Sequence, residues 1–437
     1  MRDSTFRNTL LAAVALAGLL VIGCKSNASS NSSTVPNAAP IPADASEGAI
    51  RFLEDRVKRD PDDFIALNKL GGYYLLRLRE TGNLVWLDLA TRTAKASLKA
   101  IPAEQNAGGL ALLAQAEFAA HEFAAARDHA LRLTELEKRK SYPFQLLGDA
   151  LLELGDYEGA RSAFSKMKRR ERGNIAVEVR LARLAALGGD SDGARSLYTD
   201  ALAIAVEMVP PSRETVAWLR WQLGETAFNI GDYDAAEKHY RDSLTTFPDY
   251  YRALAGLGRA NAARGDVHGA IENYERAVRI LPDHVFVAAL GDLYEIAGRA
   301  REAEAQFALC EQMAKISAAS GQLYNRQLAL FYADHDLKSE EAYQLAKREY
   351  ELRRDIFGAD TLAWTALKAG KIDEAGKMIK EALRLGTQDA RLFYHAGMIA
   401  RAAGDKAMAR DYLRRALKLN PQFDPRQAQV AKQALAE

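Results

Sequence analysis

The amino-acid sequence predicts an all-α fold, an α-solenoid in which pairs of helices stack along one axis. The main evidence is one pattern that is written twice in residues 223–282. Six positions recur 34 residues later with nearly the same residue types: Leu223, Gly224, Ala236, Tyr240, Ser243 and Pro248 are followed by Leu257, Gly258, Ala270, Tyr274, Ala277 and Pro282. A fixed period of this length is typical of an array whose unit is one helical hairpin.

The same period continues through the chain on one alanine per hairpin, a residue small enough to let two helices approach closely. These alanines are Ala90, Ala126, Ala160, Ala194, Ala236, Ala270, Ala303, Ala342, Ala375 and Ala409. Most steps are 33 or 34 residues, and longer steps predict insertions near residues 78–89, 208–214 and 316–321. Hairpin turns such as Gly155-Asp156 pair a glycine that ends the first helix with an aspartate that caps the second.

With leucine-glycine, alanine, an aromatic residue and proline at these offsets, residues 64–423 resemble the tetratricopeptide repeat family. The resemblance implies a right-handed superhelix of about ten hairpins, with a concave groove lined by the first helix of each pair. The sequence departs from the family in one respect, because the tryptophan of the first helix is missing from its usual position in every repeat. Terminal repeats need a polar cap, and residues 424–437 are predicted to form a capping helix.

The first residues of the chain have the pattern of a secretory signal. Arg2 and Arg7 precede an apolar run at residues 10–22, which is too short to span a bilayer. The run ends at Gly23-Cys24, which resembles a bacterial lipobox and implies cleavage before Cys24 and lipidation of its thiol and amino group. We therefore expect a lipoprotein signal peptide at residues 1–23. The alternatives are an uncleaved anchor or an ordinary signal followed by a chance cysteine.

The rest of the chain divides by composition. Residues 24–47 contain the lipidated cysteine and a Ser-, Asn-, Ala- and Pro-rich stretch, which is predicted to be a disordered tether. Pro210-Pro211 predicts a linker at residues 209–216, because proline cannot continue a helix. The linker separates two repeat arrays, at residues 48–208 and 217–423. In bacterial lipoproteins that this signal resembles, an aspartate after the cysteine favours retention in the inner membrane. Lys25 follows Cys24 instead, so the resemblance favours a lipid-anchored protein of the outer membrane that faces the periplasm.

Motifs for catalysis and for metal or cofactor binding are not found in the sequence. A P-loop, HExxH, paired CxxC and a calcium loop are all missing, and the seven histidines are scattered without ligand spacing. Residues 189–193 fit G-x-S-x-G, but they fall in a hairpin turn where the hydrolase motif would need a preceding strand. Cys310 occupies a small, buried repeat position. We expect a non-enzymatic protein without cofactors, and the net charge of +1 gives no indication of nucleic-acid binding.

The concave face of the first helices is the candidate binding surface, by resemblance to the family. When the family's helix positions are applied to this sequence, the side chains on the concave face are Asp149, Arg183, Trp218, Trp221, Glu225, Asn229, Arg252, Arg259, Asp292, Tyr394 and Arg401. Arg252 and Arg259 lie beside the small residues Ala255 and Ala262, which leave open space next to each cation. A cation beside open space can bind an extended peptide or its carboxylate. The alternative for each residue is a solvated helix face. For Trp218 and Trp221 it is core packing beside the linker.

These features predict a membrane-tethered scaffold that binds protein or peptide partners in the bacterial cell envelope. Such a scaffold would assist the assembly of a secretion, pilus or outer-membrane complex. The alternative is an accessory subunit that binds envelope polysaccharide, because aromatic and arginine side chains serve either ligand. A third hypothesis is a hydrolase that depends on Ser191, for which no converging site residues are found.

Overall fold

The computed structural model describes residues 36–40, 46–319 and 326–437. In these ranges it contains twenty-two α-helices and no strand. The helices up to the predicted linker are α1 (Ser46–Arg59), α2 (Phe64–Thr81), α3 (Val85–Ala100), α4 (Ala107–Ala119), α5 (Phe123–Leu136), α6 (Tyr142–Glu153), α7 (Tyr157–Arg170), α8 (Ile175–Leu187) and α9 (Ser191–Glu207).

The helices after the linker complete the array. They are α10 (Arg213–Asn229), α11 (Tyr233–Thr246), α12 (Tyr251–Ala263), α13 (Val267–Ile280), α14 (His284–Ile296), α15 (Ala300–Ala319), α16 (Arg326–Asp334), α17 (Ser339–Leu352), α18 (Ile356–Lys368), α19 (Ile372–Ala382), α20 (Ala390–Ala402), α21 (Lys406–Leu419) and α22 (Gln427–Ala436). Each helix packs against the next from α2 to α21, with α15 and α16 in contact through Phe307 and Phe331, so the described residues form ten hairpins in a solenoid. The predicted fold class is confirmed.

Local chemistry forms the hairpins as the sequence predicts. All ten repeat alanines are at most 4% exposed, so the two helices of each pair are in close contact at that point. In several turns an aspartate side chain accepts a hydrogen bond from a backbone N–H of the second helix: Asp156, Asp190, Asp232, Asp266 and Asp405. These caps satisfy helix N-termini that would otherwise leave donors unpaired.

The ends of the array and its linker differ in detail from the predicted divisions. The irregular linker spans residues 208–212, whereas the predicted linker extends to residue 216. Helix α10 begins earlier than predicted, at Arg213, because the Ser212 hydroxyl caps its N-terminus. Helix α1 begins at Ser46, inside the stretch predicted as tether, and Pro36 and Asn37 contact Arg220. Residues 1–23 and Cys24 lie outside the described residues, as do residues 320 and 321 of the third predicted insertion. No described helix combines the length and apolar character needed to cross a bilayer.

Successive turns of the solenoid touch one another. The hydroxyl of Tyr157 accepts a hydrogen bond from the backbone N–H of Ile356 at 2.8 Å, and these residues are 199 apart in sequence. The Thr387 hydroxyl donates to the carbonyl of Leu187, 200 residues away, and Asn420 donates to the carbonyl of Phe228, 192 residues away. With a 34-residue period, the array returns to itself after about six hairpins. These contacts join successive turns of the solenoid around its interior face.

Buried charges reinforce the contact between turns. Glu153 at the end of α6 pairs with Arg353, which follows α17, and with Arg183 of α8. Burial raises the pKa of Glu153, but the two guanidinium groups outweigh it and lower that pKa to about 2. The carboxylate is therefore ionised in the fold and makes a stabilising contribution that is present above pH 4.5 and lost as the pH falls towards 2.

Candidate functional site

The interior of the solenoid contains a cavity of about 520 Å³. Its wall comes from the first helices of six consecutive hairpins: α10, α12, α14, α16, α18 and α20. The loop between α21 and α22 closes it through residues 420–425. Small side chains such as Ala255, Ala262 and Ala289 line the wall and leave the space open. The cavity volume lies in the range of roughly 300–1,000 Å³ that is usual for ligand sites.

The structure brings six of the eleven predicted site residues together at this cavity. They are Trp221, Glu225, Asn229, Arg252, Arg259 and Asp292. All six belong to α10, α12 and α14. The first two of these helices include residues of the stretch 223–282, in which the sequence pattern is clearest. These three helices therefore contribute all of the predicted residues that line the cavity.

Two predicted site residues on the earlier hairpins are engaged in ion pairs instead. Asp149 is buried and accepts three hydrogen bonds from Arg180, one of them at 2.6 Å. Arg183 pairs with buried Glu153 beside the contact between turns. Neither residue lines the cavity, because each pairs with an opposite charge between the adjacent helices α6 and α8.

The other three predicted residues also lie away from the cavity. Trp218 packs in a buried cluster and makes an edge contact with Tyr198, as the alternative of core packing predicts. Tyr394 is buried beside Trp364 and Phe423. Arg401 is exposed and pairs with Glu437 near the end of the chain. These residues contribute to packing and to the surface, not to the enclosed space.

Arg259 forms a polar cluster on the wall of the cavity. Its Nη2 atom donates to Glu225 Oε1 at 2.6 Å, and the Tyr240 hydroxyl donates to the same oxygen at 2.7 Å. The guanidinium group lies 4.1 Å from the centre of the Phe228 ring. Burial and the neighbouring Glu225 charge raise the pKa of Tyr240 well above its usual value, so the phenol stays protonated. The cluster holds a cation rigidly at the cavity surface.

Arg252 lies between two aromatic rings. Its guanidinium carbon is 5.4 Å from the Trp221 ring and 5.1 Å from the Tyr251 ring, distances at which the ring faces attract a cation. Asp283 lies in the same region, where burial raises its pKa to about 6 even though Arg252 and the N–H of Val285 favour the ionised form. Arg252 and Trp221 thus present a flat, polar and aromatic surface to the cavity.

Acidic groups line the part of the cavity formed by α14 and α16. Asp292 accepts hydrogen bonds from His335 Nε2 at 2.9 Å and from Arg426 Nη1 at 2.6 Å. Burial lowers the pKa of His335, but its bond to Asp292 outweighs this and the pKa is raised overall. Asp334 accepts hydrogen bonds from Trp364 Nε1 at 2.8 Å and from Gln427 at 2.7 Å. These carboxylates leave oxygen lone pairs available to a ligand.

Sequence reasoning missed the cavity residues contributed by the later hairpins. Among them are Arg326, Asp334, Asp360, Arg391 and Asp424. Arg391 is notable because its side chain is 43% exposed and its contact with Asp424 is long, at 3.4 Å. The face of α20 that carries Arg391 could have been phased from the sequence. Whether this face of α20 lies opposite α12 depends on the curvature of the solenoid, and no local sequence pattern specifies that curvature.

The motifs with possible chemistry have structural roles. Ser191 is the first residue of α9, directly after the turn that follows α8, so G-x-S-x-G lies between two helices as expected. Cys310 is fully buried, its Sγ is 4.0 Å from the carbonyl oxygen of His284, and burial raises its pKa to about 12. In the described part of the chain, no group of three or more His, Cys, Asp or Glu side chains is placed to hold a metal ion.

Models of known families identify the repeated unit. One model, described as tetratricopeptide repeat, matches residues 222–285 and 361–422, and a second with the same description matches residues 174–249. The chain contains tetratricopeptide repeats. The first model covers most of α10–α13 and of α18–α21, so tetratricopeptide hairpins form part of the cavity wall. No curated protein shows significant sequence similarity to the chain.

Several solved structures are similar to this chain. The human IFIT1 dimer with PPP-AAAA is 16% identical, with 87% of this chain and 96% of that chain covered and a TM-score of 0.45. PilW, a widely conserved type IV pilus biogenesis factor, is 14% identical, with 50% and 94% covered and a TM-score of 0.40. Yeast Tom70 is 12% identical, with 90% and 92% covered and a TM-score of 0.39.

Proposed function

We propose that this protein is a non-enzymatic scaffold of the bacterial cell envelope, anchored through Cys24, which binds an extended peptide segment of a partner protein in its internal cavity. The observation that carries the proposal is the cavity lined by the first helices of six consecutive hairpins, four of which match a tetratricopeptide repeat model. Partners of this kind would belong to a secretion, pilus or outer-membrane assembly.

The size and chemistry of the cavity favour a short polar chain. About 520 Å³ is too little for a folded domain, but it accommodates a segment of a few residues. Arg391, Arg259 and Arg252 offer cationic donors for backbone carbonyls or carboxylates. Asp292 and Asp334 offer acceptors for N–H groups or cationic side chains. Donors and acceptors in one enclosed space match the alternating polar groups of an extended backbone.

The sequence of the first 47 residues supports the envelope location. A basic start, a short apolar run and Gly23-Cys24 together have the form of a lipoprotein signal. Two or more acyl chains on Cys24 would make a stable anchor, since one chain gives only marginal membrane binding. Lys25 after the cysteine favours the outer membrane, with the solenoid facing the periplasm.

Binding of envelope polysaccharide is the alternative function. The observation in its favour is that the rings of Trp221 and Phe357 line the cavity together with the exposed amide of Asn229. Aromatic faces and planar polar groups also suit sugar rings and their hydroxyls. Glycan-array binding by the purified protein, weakened by Trp221→Ala, would favour this alternative.

Crosslinking in the native host followed by purification and mass spectrometry tests the proposal. We expect the wild type to retain a defined envelope protein and Arg391→Ala to lose it, because the substitution removes the most open cation of the cavity. Arg241→Ala is the matched control, since this arginine is also exposed but lies on α11, outside the cavity. The Cys24→Ser variant should leave the membrane fraction.

Three results would contradict parts of the proposal. Equal recovery of the partner by Arg391→Ala and Arg241→Ala would show that the cavity does not bind it. Retention of Cys24→Ser in the membrane fraction would contradict the lipid anchor. The absence of any crosslinked envelope protein would contradict the scaffold function and favour the polysaccharide alternative.

A further inference from the structure

Arg220 forms a second polar site, away from the cavity. It lies on α10, is 1% exposed, and does not line the cavity that Trp221 and Glu225 of the same helix face. Its Nη2 atom donates to the carbonyl oxygen of Asn37 at 2.8 Å and, more weakly, to that of Pro36 at 3.3 Å. A side chain of the solenoid therefore binds the main chain of the segment that precedes α1.

The rest of the Arg220 guanidinium group is poorly satisfied within the described residues. Nε and Nη1 have no hydrogen-bond partner there, and the nearest carboxylate oxygen, on Asp242, is 3.7 Å from Nη1. That same oxygen accepts from Lys238 Nζ at 2.7 Å. Buried arginine donors require acceptors, so the two carbonyl groups of the N-terminal segment are important partners of this side chain.

Residues 36–40 are suited to this role. The segment reads Pro-Asn-Ala-Ala-Pro and lies outside any helix. Proline at each end restricts the backbone to extended conformations and removes two of the five N–H groups, so the backbone carbonyl oxygens outnumber the backbone donors. A stiff segment also loses less conformational entropy on docking than a glycine- and serine-rich one. These properties are typical of ligands recognised by main-chain carbonyls.

We propose that Arg220 and its surroundings on α10 and α11 form an intramolecular docking site for residues 36–40. The ligand is the chain's own proline-flanked segment, bound by hydrogen bonds to two successive carbonyl groups. The docked segment lies outside the cavity, so docking leaves the cavity free for a partner.

Docking changes how the solenoid is tethered, a consequence that rests on the proposed anchor at Cys24. Docking moves the point at which the N-terminal segment joins the solenoid from α1 to the α10–α11 face. The number of residues between the anchor and the solenoid falls from 22, counted from Cys24 to Ser46, to 12, counted from Cys24 to Pro36.

Pulsed electron spin resonance on the full chain in detergent tests the docking. Spin labels are placed at Ala39→Cys and Thr245→Cys, both exposed positions, in a Cys24→Ser background where Cys310 is buried. We expect one narrow distance distribution, and we expect Arg220→Gln to broaden it at least twofold. Arg241→Gln is the matched control on α11, because its partner is Glu237 and it should leave the distribution unchanged.

A second variant keeps the solenoid intact in case Arg220→Gln unfolds it. Pro36→Gly with Pro40→Gly changes only the segment and should also broaden the distribution, with the thermal unfolding temperature unchanged. A broad distribution in the unsubstituted labelled chain, or a narrow one in folded Arg220→Gln, would overturn the proposal. The measurement does not require lipidation, so failure of the anchor at Cys24 would leave its outcome unaffected and is detected separately by membrane fractionation.

Discussion

Substitution of Gly155 by alanine tests whether contact between successive turns stabilises the solenoid. Gly155 ends α6 with φ +84°, and the carbonyl oxygen of Arg354, from the next turn, lies against its open side. A Cβ atom built on Gly155 would lie 2.1 Å from that oxygen. Because the obstacle is backbone, alanine would force the two turns apart by about 1 Å or more.

The expected cost has two parts. Alanine in the left-handed region costs about 1–2 kcal/mol wherever it occurs. Overpacking adds about 1–3 kcal/mol when the surroundings must shift. Gly265 separates the two parts, because it has the same φ of +84° in the α12–α13 turn but no atom within 4 Å of a built Cβ. We expect Gly265→Ala to lower the free energy of unfolding by about 1–2 kcal/mol and Gly155→Ala by about 2–5 kcal/mol.

Urea unfolding monitored by circular dichroism measures the difference, and small-angle X-ray scattering measures the shape. The closed solenoid predicts a larger loss of stability for Gly155→Ala and an increase in its radius of gyration that Gly265→Ala does not share. Equal losses of stability with unchanged scattering would refute the reasoning. In that case the turns would not be in contact in solution, and the cavity would be an open groove.

Three further predictions concern buried charges and are checked by unfolding at several pH values. Glu153→Gln should cost about 3 kcal/mol or more at neutral pH, because it leaves Arg353 buried without its carboxylate, and the cost should shrink as the pH falls from 4.5 towards 2. Asp283→Asn should stabilise the protein by about 1–2 kcal/mol above pH 6, since burial raises the pKa of this carboxyl to about 6 and an amide can still cap α14; below pH 4 the variant and wild type should agree. His335→Gln should cost about 1–2 kcal/mol at low pH, where the imidazolium pairs with Asp292, and less as the pH rises through the raised folded-state pKa. A pH-independent difference in any of the three would contradict the assigned cause.

The repeat architecture is predictable because its determinants are local. The ten alanines sit where two helices of one hairpin touch, and the aspartates that cap second helices lie three residues before the N–H groups they accept from. Contacts of this kind connect residues within one or two repeats. A period in the sequence therefore specifies them without knowledge of the rest of the chain.

The candidate site was predictable only in part. Trp221, Glu225 and Arg259 reach the cavity because the phase of α10 and α12 follows directly from the clearest repeats. Asp149 carries the same phase on an earlier hairpin, yet it is buried against Arg180. Whether a concave position is open to the cavity or pairs with a charge depends on which side chain the neighbouring hairpin places beside it, here Arg180 of α8.

The sequence by itself determined the helices, their pairing, the turn chemistry and the pattern of a lipoprotein signal. The tertiary structure decided that the solenoid returns to itself, that Arg391 faces the wall formed by α12, and that residues 36–40 lie on Arg220. The physical reason is that small rotations between neighbouring hairpins add up along the array. After about six hairpins their sum sets which residues meet across 200 positions of sequence, and no single repeat contains that information.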